Sequence, residues 1–89
     1  MSDSAFVVTD IEIDGFDPGA NSMRSFASVA IDAAGAELGR FEAVLEPLRG
    51  SSPSPDTLAW FRTQPPEVWR AATDNPQPSA RVMQDFASW

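Results

Sequence analysis

The stretch Ala5-Phe6-Val7-Val8-Thr9-Asp10-Ile11-Glu12-Ile13-Asp14-Gly15 decides how the rest of the chain is read. Its apolar and β-branched residues predict a buried β-strand over 5–13. Side chains alternate faces along a strand, so Asp10 and Glu12 share the side of Phe6 and Val8. Two carboxylates on one face of a buried strand are costly unless a positive charge sits between them. A divalent metal ion is the obvious candidate for that charge; the alternative is a solvated strand end on which Asp10 and Glu12 are ordinary surface acids. Strand rise separates the two Cβ atoms by about 7 Å, a spacing that suits two ions better than one.

Outward from this strand, Gly15 to Ser22 is rich in turn formers and is predicted to be a loop. A second strand is predicted over 24–32, and Ala33-Ala34-Gly35 makes a hairpin turn in which Gly35 takes positive φ. A third strand is predicted over 36–46. There Phe41, Ala43 and Leu45 alternate with Arg40, Glu42, Val44 and Glu46, a half-buried pattern that Pro47 ends. The segment Gly50-Ser51-Ser52-Pro53-Ser54-Pro55 then reads as a linker. Asp56 or Thr57 is expected to cap a short helix through Arg62. Pro65-Pro66 opens a second helix, and Ser79 is expected to cap a third, with Val82, Met83, Phe86 and Trp89 on one face. The expected class is α/β in the α+β sense, a three-stranded antiparallel meander (5–48) followed by short helices (56–89). The last helix runs to Trp89 without a C-cap, so the chain is expected to be the N-terminal part of a single larger domain.

Composition narrows the chemistry. The chain has 89 residues, 43% of them hydrophobic, with three Trp and six Phe, too apolar for intrinsic disorder. No apolar run is long enough to span a bilayer. Residues 1–5 carry no basic leader segment, which points to the cytoplasm as the default location. With no Cys and no His, disulfides, thiolate sites and imidazole ligands are excluded. Any bound metal must be held by oxygen, which favours Mg²⁺, Mn²⁺ or Ca²⁺. The formal charge is −7, and all six basic residues are Arg. No basic stripe of the kind that coats a duplex is present.

The run Val8-Thr9-Asp10-Ile11-Glu12-Ile13-Asp14-Gly15-Phe16-Asp17-Pro18-Gly19, continuing through Asn21-Ser22-Met23, resembles the first motif of the DEDD superfamily of 3′–5′ exonucleases, the ribonuclease T and oligoribonuclease-like group. The resemblance lies in Asp-x-Glu at the end of strand one, followed by Gly and an x-Pro. It implies a ribonuclease H-like core, here partial, and phosphodiester cleavage from the 3′ end of single-stranded or 3′-overhanging RNA or DNA. It also implies a two-metal mechanism with Mg²⁺ or Mn²⁺, in which four acids hold both ions. Asp10 would bridge the two ions and Glu12 would bind one. The later motifs, which supply two further Asp residues and a His or Tyr that activates water, do not occur in these residues. The chain is therefore expected to be inactive alone.

Residues 13–16 are expected to line the site for the terminal nucleotide. Asp14 either closes the loop through the backbone or assists the metal. Gly15 either admits the nucleotide or permits the turn. Phe16 either stacks on a base or packs on the core. Trp60, Trp69 and Trp89 are expected in the core or at a subunit contact, and an open aromatic surface would favour a homodimer. Arg24 and Arg62 are either surface residues or phosphate contacts. Two further readings stand beside the nuclease: a non-catalytic interaction module or degraded exonuclease-like domain, and an acidic mimic of nucleic acid.

Overall fold

A computed structural model describes residues 4–89. The reading of residues 1–5 as lacking a basic leader thus falls partly outside the described residues. Three strands, β1 (Ala5–Ile13), β2 (Met23–Asp32) and β3 (Glu37–Val44), precede three helices, α1 (Pro55–Arg62), α2 (Pro66–Thr73) and α3 (Ser79–Ser88). The strands form one antiparallel sheet in the order β1-β2-β3. The expected meander followed by helices is therefore present, and the chain is a small α+β domain.

The β2–β3 hairpin is built as its sequence requires. Gly35 adopts φ 87°. The Asp32 carboxylate accepts hydrogen bonds from the amides of Ala34 and Ala36, both at 2.9 Å. Strand β3 ends two residues early, because Leu45 leaves the ladder to form a bridge with Gln77. The Gln77 amide donates to the Val44 carbonyl at 2.9 Å, and the Glu46 amide donates to the Gln77 carbonyl at the same distance.

Phe26, Leu45 and Val82 form a buried core cluster, with Met23, Phe41, Ala43 and Phe86 packed around them, and Phe61 and Ala72 are buried as well. Phe26 stacks on Phe41 at 5.8 Å and meets Phe86 edge-on at 5.0 Å. Helix α3 therefore lies over β2 and β3. This corrects the reading of β1 as a buried strand: Phe6 is 56% exposed and Val8 60%. Strand β1 is an edge, paired on one side only with β2, and the aromatic packing is centred away from it. An apolar run of this length reads alike whether its outer side is covered or not.

The helix starts also differ from expectation. Ser54, not Asp56 or Thr57, caps α1, its hydroxyl accepting from the Thr57 amide at 3.5 Å with Pro55 in the first turn. Asp56 instead places its charge in the first turn, where the helix dipole favours it. Pro78 holds the capping position of α3, and Ser79 is its first helical residue with no side-chain cap. Val82 is buried and Phe86 half-buried, but Met83 is exposed. Successive helical residues are rotated by about 100°, so Met83 cannot share the inward direction of Val82. Trp89 is also exposed in part, yet its ring reaches Phe86 at 5.9 Å and lies over Gly39. Among the described residues, no helix is long and apolar enough to cross a membrane.

Candidate functional site

The site residues lie at the C-terminal end of β1 and in the loop that follows. Register fixes where Asp10 and Glu12 point. Ile11 pairs with Phe26, and Phe26 with Ala43, on the face that carries the core. Asp10 and Glu12 flank Ile11 and so project from the opposite face. There Asp10 shares a cross-strand row with Ala27 and Glu42, and Glu12 shares the next row with Ser25 and Val44. The Asp10 Oδ1 accepts the Ile11 amide at 3.0 Å.

Charge on this face is unevenly neutralised. Arg40 donates to Glu37 at 2.7 Å and to Glu42 at 3.2 Å. The hydrogen bond to Glu37, then that to Glu42, holds the Arg40 pKa above its ordinary value. Arg40 is thus occupied by its own strand. Among the described residues, Asp10 and Glu12 form no ion pair. No group of three or more His, Cys, Asp or Glu converges among the described residues either. The donor set that β1 offers a cation is therefore two carboxylates, hard oxygen donors of the kind that Mg²⁺ and Mn²⁺ accept with water completing the shell.

A bulge between Glu12 and Ile13 ends the regular ladder and turns the next residues inward. Asp14 is fully buried. Its carboxylate accepts the Ser22 amide and lies 3.6 Å from the Arg24 guanidinium. Its backbone bonds Ser22 and the Ser54 amide. Asp14 thereby closes the 14–22 loop and anchors the start of α1. Arg24 in turn lies 5.8 Å from the Trp69 ring centre, so Asp14, Arg24 and Trp69 form a chain from β1 to α2. Among the described residues, Asp14 Oδ2 and Arg24 Nε have no hydrogen-bond partner.

Gly15 is buried for a different reason from a turn glycine. Its φ is not in the left-handed region, but a Cβ there would stand 2.1 Å from the Asn21 side chain. That side chain accepts the Asp17 amide at 3.0 Å and donates to the Ser52 carbonyl at 2.9 Å. The loop is thus folded around Asn21, and Gly15 makes room for it. Phe16, next in the chain, is pushed out to 87% exposure.

Phe16 overhangs a groove of about 770 Å³ bordered by Ile11, Glu12, Asn21, Trp60 and Phe61. The structure therefore brings Glu12, Ile13 and Phe16 to one concavity, and Asp14 and Gly15 lie buried beside it as its support. Trp60, expected in the core or at a subunit contact, is not in the core: it is 53% exposed on the groove wall with its ring edge-on to Phe61 at 4.9 Å. A signal for this was present: Trp60 and Phe61 are adjacent on one helix, so only one of them can face inward. The Asp14–Arg24 pairing carries no comparable signal, because it depends on the bulge. Neither the models of known protein families nor the curated proteins give a match to this chain.

Proposed function

We propose that the chain is the metal-binding and end-recognising part of a 3′–5′ exonuclease with a ribonuclease H-like fold, acting on single-stranded or 3′-overhanging RNA or DNA. The observation that carries this reading is the position of Glu12. It belongs to the unpaired carboxylate pair on β1 and also borders the groove that Phe16 and Trp60 enclose. A cation held there sits beside a surface on which a base can stack, with contributions of about 1–3 kcal/mol per base. Asp10 and Glu12 hold the ions, and Phe16 orients the terminal nucleotide. Asp14 and Gly15 act from behind, fixing the loop. Bound Mg²⁺ or Mn²⁺ supplies Lewis acidity and a bound water of lowered pKa.

The test has two parts. Calorimetric titration of the chain with MnCl₂ is expected to give binding that Asp10→Asn and Glu12→Gln each remove. In any longer chain that contains these residues, Asp10→Ala and Glu12→Ala are expected to abolish Mn²⁺-dependent 3′ trimming. Undiminished Mn²⁺ binding in both variants would refute the reading. The exposed apolar edge of β1 favours a second reading, a non-catalytic interaction module. That reading is supported if the chain binds no Mn²⁺ in any form.

A further inference from the structure

The groove between α1 and α2 has a composition unlike the rest of this acidic chain. It encloses about 620 Å³ and is lined by Leu58, Phe61, Arg62, Gln64, Trp69 and Arg70, with Pro66 and Thr73 completing it. Among the described residues, no Asp or Glu lines it, although acids outnumber bases by thirteen to six in the sequence. Among the described residues, Arg62 and Arg70 form no salt bridge, whereas Arg24 and Arg40 are paired with carboxylates.

Helix geometry explains how two cations reach one groove. Leu58, Phe61 and Arg62 are spaced i, i+3, i+4 along α1, and Pro66, Trp69, Arg70 and Thr73 are spaced i, i+3, i+4, i+7 along α2. Each set lies on one helix face. The Phe61 and Trp69 rings meet edge-on at 4.7 Å and form the floor. The same ridges therefore place a guanidinium on each rim. Trp69 is fixed from behind by Arg24 at 5.8 Å, so the floor is preorganised.

We propose that this groove binds the phosphodiester backbone of a nucleic-acid strand, through Arg62 and Arg70, on the far side of α1 from the Phe16 groove. Continuity argues for a strand rather than an isolated anion. Phe61 lines both grooves, and α1 is about 10 Å across. A strand whose end lies against Phe16 and Trp60 passes over α1 and meets the two guanidinium groups next. Guanidinium forks match phosphate oxygens in geometry as well as charge. The identity of the ligand rests on the exonuclease reading, but the groove itself does not depend on a metal.

The experiment uses the chain with a fluorescein-labelled ten-nucleotide single strand in EDTA, followed by anisotropy at several salt concentrations. Arg62→Gln and Arg70→Gln are each expected to weaken binding about fivefold. Each should also lower the slope of log K against log salt by about 0.7. Arg49→Gln, in the loop after β3, is expected to change neither. Circular dichroism of each variant checks that the helices persist. Binding indifferent to both groove substitutions, or poly-glutamate binding as tightly as the oligonucleotide, overturns the proposal. The EDTA keeps the two readings separable. Failure of the unaltered chain to bind Mn²⁺, with oligonucleotide binding intact, removes the exonuclease and leaves the groove, and the converse result does the opposite.

Discussion

At the scale of single residues, the loop after β1 is held by contacts that tolerate little change. Gly15→Ala puts a methyl group 2.1 Å from Asn21, a clash that relaxes only if the Asn21 side chain abandons its bonds to Asp17 and Ser52. The substitution is expected to cost about 1–3 kcal/mol in urea unfolding. Adding Asn21→Ala to it is expected to cost less than the sum of the two single changes, because the clash is then gone. Simple additivity would show that the crowding is not what fixes glycine at this position. Asp14 belongs to the same scale. Asp14→Ala leaves the Arg24 guanidinium over Trp69 without its carboxylate, and removal of one partner from a buried pair costs about 3–5 kcal/mol. Thermal unfolding of that variant is expected at a much lower temperature, with near-ultraviolet dichroism reporting the loss of Trp69 order.

At the scale of elements, β1 is both the carrier of the candidate ligands and an unprotected edge. Its exposed residues Phe6, Val7 and Val8 are apolar, and exposed edges of this kind pair with other chains unless charge or coverage prevents it. Val8→Lys is expected to leave stability within about 0.5 kcal/mol, since the side chain is already exposed. It is also expected to reduce any self-association seen by light scattering at high concentration. Equal association in both proteins would place the contact elsewhere, for example at the exposed ring of Trp60 or at that of Trp89. The helices show the opposite economy. Each buries a single residue, Phe61 in α1, Ala72 in α2 and Val82 in α3. Short helices of this kind persist through tertiary packing more than through propensity.

For the whole molecule, the consequence is a small core with a large share of the stability resting on few residues. Phe26 is the buried ring of the aromatic cluster, in contact with Phe41 and Phe86. Phe26→Ala is expected to lose about 3–5 kcal/mol. Domains of this size are only marginally stable, so the variant is expected to be largely unfolded by circular dichroism at 37 °C. Mn²⁺, if held by Asp10 and Glu12 as proposed, is expected to act in the reverse direction. A ligand that binds only the folded state raises the melting temperature with concentration, and the rise is expected to vanish in Glu12→Gln.

The positions of the three strands, the Gly35 hairpin and the common face of Asp10 and Glu12 are determined by the sequence itself. They follow from period-2 alternation and turn chemistry within a few residues. The inward row Phe41, Ala43 and Leu45 was legible for the same reason. Whether β1 is covered, which of Trp60 and Phe61 turns outward, and how Asp14 meets Arg24 and Trp69 were decided only by the tertiary structure. Each depends on residues distant in the chain, 14 with 24 and 69, or 12 with 60, whose approach no local period encodes. The carboxylate pair is thus a property of one strand. The groove beside it exists only because a bulge, a buried Asp14 and helix α1 come together around it.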